Sequence, residues 1–125
     1  PASISKMKNL KKLGLAKNQI KTLPSSIGDL NKLQYLYLSK NLLSTVPNSI
    51  GNLSNLIYID LSHNVLTSIP IEMSNLNKCV EMNFCNNMLK EIPAEFENLQ
   101  SLQNIGINNN KIEIEPVELA KFNVY

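Results

Sequence analysis

Asn18, Asn41, Asn64, Asn87 and Asn110 lie 23 residues apart without a slip, and no other feature of the chain constrains its fold as tightly. Around each asparagine the same frame returns. It reads Leu10-x-x-Leu13-x-Leu15-x-x-Asn18-x-Ile20-x-x-Leu23-Pro24-x-x-Ile27-Gly28-x-Leu30, then Leu33-x-x-Leu36-x-Leu38-x-x-Asn41-x-Leu43-x-x-Val46-Pro47-x-x-Ile50-Gly51-x-Leu53. Residues 10–32, 33–55, 56–78, 79–101 and 102–124 are five copies in one register, preceded by a half repeat over 1–9. A fixed period of this length marks a stacked array, in which each unit buries its apolar face only against its neighbours. Residues 1–125 therefore read as one domain.

The alternation at Leu13-x-Leu15 predicts a short strand with one face inward. A unit that folds back on itself every 23 residues stacks such strands into a parallel sheet along one side. The predicted class is an α/β solenoid, with a curved parallel sheet on the concave side and short helical or 3-10 turns on the convex side. The asparagine falls at the bend after the strand. Buried there, its amide serves backbone groups that the bend leaves unpaired, so Asn18, Asn41, Asn64, Asn87 and Asn110 should form a polar ladder inside the core. Pro24, Pro47, Pro70, Pro93 and Pro116 mark the return segment, where φ is fixed and no amide proton is needed. Ile27, Ile50, Met73, Phe96 and Leu119 then pack from the convex side, with Ser25, Asn48 and Glu72 standing where a helical turn would start.

Both ends depart from the frame. Pro1, Ile4 and Met7 match the second half of a repeat, so the chain opens in mid-repeat, either after lost upstream residues or with a minimal cap. Glu115 takes a core position held elsewhere by Leu23, Val46, Ile69 and Ile92, a departure expected of a terminal repeat with a polar outer face. Hydrophobic residues are 43% of the chain and charged ones 18%, ordinary globular usage. No apolar run approaches the ~20 residues of a membrane span, and no basic segment precedes a short apolar one.

The frame is similar to that of leucine-rich repeat proteins. Its second half, Leu23-Pro24-Ser25-Ser26-Ile27-Gly28-Asp29-Leu30 and Val46-Pro47-Asn48-Ser49-Ile50-Gly51-Asn52-Leu53, resembles the 23-residue repeats of the intracellular Ras group, which includes Ras suppressor and plant intracellular Ras-group proteins. The likeness covers essentially the whole chain, and the third and fourth copies depart from it at the glycine position with Ser74 and Glu97. It implies a curved, non-enzymatic protein-binding scaffold in the cytoplasm, beside small GTPases in some members; no residue here matches a GTPase contact. Extracellular repeats of this class usually carry cysteine-clustered caps. This chain has two cysteines, Cys79 at a frame leucine position and Cys85 on the outer edge of a strand. Six extended residues span roughly 20 Å, against the ~4.4–6.8 Å between Cα atoms that a disulfide needs, so the pair does not bridge. That usage favours a reducing compartment.

Function belongs on the concave face, in the strand positions that do not enter the core. Those slots hold Lys12, Gly14 and Ala16; Tyr35, Tyr37 and Ser39; Tyr58, Asp60 and Ser62; Glu81, Asn83 and Cys85; Asn104, Gly106 and Asn108. The next slot adds Lys17, Lys40, His63, Asn86 and Asn109. Three of the four tyrosines thus fall on adjacent strands of one face. Tyrosine anchors interfaces because it buries much area with few rotors and keeps a hydroxyl to pair; the same residues also stabilise a sheet as cross-strand pairs. The candidate partner-binding set is Lys12, Tyr35, Tyr37, Lys40, Tyr58, Asp60, His63, Glu81 and Asn83. Leu42, Val65 and Met88, after the ladder asparagine in three successive copies, form either an apolar margin or half-buried packing. Five strands make a sheet only about 19 Å wide. A standard interface needs about 800 Å² per partner, so a tight partner must also touch the flanking loops, or the chain must extend or oligomerise.

Charge is polarised along the array. Lys6, Lys8, Lys11, Lys12, Lys17 and Lys21 precede any acid, and Glu91, Glu95, Glu97, Glu113, Glu115 and Glu118 crowd the far end, for a net charge of only +2. Such charges either guard open sheet edges or permit weak head-to-tail association of an otherwise monomeric chain. Nucleic acid is a poor match: the chain has no arginine, and its tyrosines are not interleaved with its lysines. Asp60, Ser62 and His63 are close in sequence but have no pocket or oxyanion site around them, and an Asp60–His63–Glu81 metal site would be open and unsupported. No cofactor is implied. The expected function is protein–protein interaction without catalysis, with an extracellular ligand-binding or adhesion module and a self-assembling structural unit as the alternatives.

Overall fold

In the computed structural model, which describes residues 7–113 and 116–125, each period-two segment becomes one three-residue strand per repeat. These are β1 (Lys12–Gly14), β2 (Tyr35–Tyr37), β3 (Tyr58–Asp60), β4 (Glu81–Asn83) and β5 (Asn104–Gly106). All pair in parallel in sequence order, each in register with the equivalent residue one period on, as in Lys12 with Tyr35 and Tyr35 with Tyr58. The middle residues Leu36, Ile59, Met82 and Ile105 are fully buried, whereas Leu13, with no described strand outside it, is half-buried. Pro1, Ile4 and Lys6 of the opening half repeat, and Glu115, lie outside the described residues.

The return segment forms 3-10 turns and no longer helix, at Ser25–Asp29, Asn48–Asn52, Ile71–Asn75, Ala94–Asn98 and Val117–Leu119. Ser25 and Asn48 begin the first two turns where the sequence places a start, whereas Glu72 is the second residue of the third. The N-cap positions are Pro24, Pro47 and Pro70, no side chain caps any of the three, and the third turn starts at Ile71. Each proline holds its φ fixed in extended backbone and its carbonyl accepts the first turn bond, as from the Ile27 amide to Pro24 O at 3.1 Å. Gly28 and Gly51 are required by stacking: a Cβ on Gly28 would come within 2.5 Å of the Ser49 carbonyl oxygen, and one on Gly51 would overlap the backbone of Glu72. Ser74 stands at the same position in the next repeat and turns its hydroxyl back to the Ile71 carbonyl at 2.7 Å.

Strands on one face and 3-10 turns on the other enclose a single core, and the result is the curved α/β solenoid that the frame predicts. Volume is traded within it. The fourth repeat puts the small Cys79 at a leucine position and the large Phe84 at another, and Phe84 stacks on Phe96 with ring centroids 6.4 Å apart. Such swaps keep the core filled.

The asparagine ladder joins neighbouring repeats. Asn64 Nδ2 donates to Leu61 O at 3.1 Å in its own repeat and to Leu38 O at 3.0 Å in the one before, while its Oδ1 accepts the Leu43 amide at 3.0 Å. Asn41 and Asn87 repeat this set, and all three are buried. Asn110 makes the same bonds half-buried. Asn18 departs from the expected buried rung: it is exposed and, among the described residues, donates only to Leu15 O and Ala16 O of its own bend. A rung is buried by the repeat before it, and no described repeat precedes Asn18.

The array holds a sixth strand, β6 (Asn123–Val124), where five were expected. Asn104 pairs with Asn123 and Ile105 with Val124, a step of 19 residues where the others are 23. The shortened turn Val117–Leu119 brings the chain into the sheet early.

Candidate functional site

A constant register lines equivalent slots into columns across the sheet. One column runs Lys12, Tyr35, Tyr58, Glu81, Asn104 and Asn123; the next runs Gly14, Tyr37, Asp60, Asn83 and Gly106. The strand residues of the candidate set, Lys12, Tyr35, Tyr37, Tyr58, Asp60, Glu81 and Asn83, therefore share one face. Lys12 is exposed and the other six are half-buried. Tyr37 and Tyr58 lean together with ring centroids 5.6 Å apart and planes tilted by 54°, a favoured aromatic geometry. The Lys12 ammonium sits 5.3 Å from the centre of the Tyr35 ring. Lys40 and His63 stand at the rim, exposed.

The rim has a cause that the sequence hides. Lys17, Lys40, His63, Asn86 and Asn109, each just before a ladder asparagine, all adopt left-handed backbone with φ between 55° and 61°. That costs about 1–2 kcal/mol for a residue with a Cβ, and it reverses the chain so that the following asparagine enters the core. The bend projects this column outward, where Asn109 donates to Asn86 Oδ1 at 2.8 Å and the Asn86 amide approaches His63 Nε2 at 3.3 Å. Thus His63 pairs with Asn86 and not with its chain neighbours. Asp60 Oδ1 instead accepts both the amide and the hydroxyl of Ser62, at 3.0 and 2.6 Å. Asp60 and Ser62 form a turn clasp that His63 does not enter. No group of three or more metal-ligating side chains gathers among the described residues.

One contributor was missed from sequence. Tyr125, brought in by β6, extends the column that ends at Gly106, and its ring lies where a Cβ on that glycine would stand, 2.5 Å from Cε2. Its hydroxyl donates to Glu81 Oε2 at 2.5 Å. All four tyrosines of the chain accordingly lie on the concave face. Cys85, expected at the outer edge, is buried; the Tyr125 ring and Cys85 Sγ close on the same point above Gly106. Burial pushes the Cys85 thiol up and the more enclosed Cys79 thiol up to about 12, so neither is a ready nucleophile. Burial, then Asp60 and Glu81, push the Tyr58 phenol up to about 12. Burial and the Glu81 hydrogen bond also raise that of Tyr125. Leu42, Val65 and Met88 are exposed, at 44%, 39% and 44%, and form an apolar stripe beside the rim.

Comparison with known proteins agrees with this geometry. The family described as leucine-rich repeat region matches residues 1–121. A leucine-rich repeat protein of Leptospira interrogans superposes with a TM-score of 0.96 at 35% identity, over 100% of this chain and 33% of its own. An internalin of Listeria monocytogenes, at 24% identity and TM-score 0.84, covers 99% of this chain and 36% of its own, and shares the fold. The plant peptide hormone receptor RGFR1, in complex with RGF2, superposes with a TM-score of 0.88 at 29% identity, over 100% of this chain and 22% of its own. The chain thus spans about a third or less of these proteins. No curated protein matches it in sequence.

Proposed function

The chain belongs to the leucine-rich repeat family, and from that premise we propose that it is a non-enzymatic scaffold domain binding a protein partner through its concave face. Repeats of this family generally act in protein–protein interaction. The observation that carries the reading for this chain is the convergence of all four tyrosines on one face, with Tyr37 and Tyr58 packed at 5.6 Å beside the carboxylates of Asp60 and Glu81. Half-buried tyrosines already hold much of their order, so a partner loses little entropy in covering them. Six strands give a face about 24 Å wide, and the stripe Leu42, Val65 and Met88 would enlarge the contact toward a standard interface.

The Ras-group frame at Leu23–Leu30 and Val46–Leu53 supports cytoplasmic signalling beside small GTPases, and two unbridged cysteines support a reducing compartment. A second reading, a peptide-sensing extracellular module, draws support from the likeness to a plant peptide hormone receptor. Imaging the tagged full-length gene product in its source cells separates the two. The polarised lysine and glutamate ends support weak head-to-tail association of a monomer, which sedimentation at low and high salt tests; a single mass at every ionic strength removes it.

The site itself is tested by pull-down from source-cell extract with wild type, the Tyr37→Ala/Tyr58→Ala double variant, and Glu95→Ala on the exposed convex side. Each tyrosine should cost about 2 kcal/mol or more of affinity for the captured partner, and Glu95 nothing measurable. Identical captures by all three baits would move the site off this face.

A further inference from the structure

We propose that the centre of the concave face receives one basic side chain, a lysine or arginine carried on an extended segment of the partner; this rests on the protein-binding reading above. β3 offers Tyr58 and Asp60 on one face, and the register sets Glu81 beside Tyr58 and Tyr37 beside Asp60. One phenol therefore stands between two carboxylates, with the Tyr37 ring leaning over it. Strands about 4.8 Å apart and a rise of about 3.3 Å per residue put the Cα atoms of Asp60 and Glu81 on the order of 8 Å apart, a spacing that one ammonium or guanidinium group on a long side chain can address from solvent. Among the described residues Asp60 commits only Oδ1, to Ser62, and Glu81 only Oε2, to Tyr125, so each keeps a second oxygen outside those bonds. The phenol of Tyr58 is raised by burial first and then by these same two carboxylates. This face already holds an ammonium over a tyrosine, at Lys12 and Tyr35.

Charge further limits the occupant. Lys12, Lys17 and Lys40 line the β1–β2 side of the same face and repel a polybasic stretch. The segment that fits carries a single basic residue over β3–β4, with neutral or acidic residues toward β1. On the other side one column passes from Asp60 into Asn83 and the other from Glu81 into Asn104 and Asn123, which pair with polar groups of either kind.

The test pans a phage-displayed library of random dodecapeptides on the full chain and measures selected peptides by fluorescence polarisation. The variants are Asp60→Asn/Glu81→Gln, which keeps shape and removes charge, and Tyr37→Ala/Tyr58→Ala. Selected peptides should carry one Lys or Arg. Replacing that residue by Ala, or removing the two carboxylates, should each weaken binding about tenfold, and the two losses should not add. Peptides lost on the tyrosine variant but lacking a basic residue, or indifferent to Asp60→Asn/Glu81→Gln, overturn the cation assignment and leave the concave face standing as the site. Peptides indifferent to the tyrosines, or a library yielding no binder, overturn both. Should Asp60→Asn loosen the Ser62 clasp and lower the melting temperature, Glu81→Gln alone carries the comparison.

Discussion

The third and first repeats carry the same asparagine in the same frame, yet Asn64 is buried and bridges two repeats while Asn18 is exposed and serves only its own bend. The strands differ likewise, Ile59 fully buried and Leu13 half-buried. An identical frame therefore does not bring identical stabilisation. What stabilises a repeat is the neighbour stacked on it, as a nearest-neighbour description of such arrays requires.

The widest gap should appear in the apolar frame. Leu61→Ala in the sealed third repeat should cost about 2–5 kcal/mol, because a cavity forms where neighbours on both sides prevent collapse. Leu15→Ala, the same slot in the half-buried first repeat, should cost well under half of that. Chemical denaturation of both variants measures the difference, and equal losses would mean that stability is intrinsic to each repeat.

Next come the glycines, where one residue type meets opposite surroundings. Gly51→Ala would drive a Cβ into the Glu72 backbone of the next turn and should cost about 1–3 kcal/mol. At Gly14 nothing lies within 4 Å, so Gly14→Ala in β1 should be neutral or slightly stabilising. A melting temperature unmoved by Gly51→Ala would show that the convex turns are not stacked so closely.

The ladder should show a comparable contrast by another route. Asn64→Ala orphans the buried Leu43 amide, while the carbonyls of Leu38 and Leu61 keep Asn41 and Asn87 as donors, for about 1–3 kcal/mol. Asn18→Ala orphans no amide: Leu15 O keeps Asn41 as donor and Ala16 O turns to water, so it should cost less than ~0.5 kcal/mol, the usual scale of surface substitutions. Hydrogen exchange at the Leu43 amide reads the first effect directly, since losing its acceptor exposes that proton.

Much of this was legible because an unbroken period makes every slot equivalent: once Leu13-x-Leu15 reads as a strand, Tyr35, Tyr37 and Tyr58 must share a face with Asp60 and Glu81. Three things were not legible. The left-handed bend at Lys17, Lys40, His63, Asn86 and Asn109 carries no glycine to announce it, and it is held by the ladder bonds that follow. The Cys85 thiol is buried and closes on Gly106 beside the ring of Tyr125, a neighbour distant in sequence. Tyr125 reaches the face only because the last step is 19 residues, and that breaks the one rule that made the rest readable. Periodicity exposes what repeats and hides what departs from it.

The smallest expected effect concerns Tyr58, at the middle of the array. Its phenol is pushed up to about 12 by burial first, and then by Asp60 and Glu81, against an ordinary value near 10. The unfolded chain would thus release this proton at lower pH than the folded chain. Between about pH 10 and 12 the folded state binds more protons, so stability present below pH 10 is lost as pH rises through that window. Absorbance at 295 nm follows phenolate directly. Subtracting a Tyr58→Phe titration from that of wild type should give one transition centred well above pH 10, and Glu81→Gln should draw it downward by removing one of the two carboxylates. Because Glu81 also accepts the Tyr125 hydroxyl, that variant should advance a second phenol as well, which Tyr125→Phe identifies. A difference curve centred near 10 would place Tyr58 free in water and away from both carboxylates, and the centre of the sheet would then be no more enclosed than its ends.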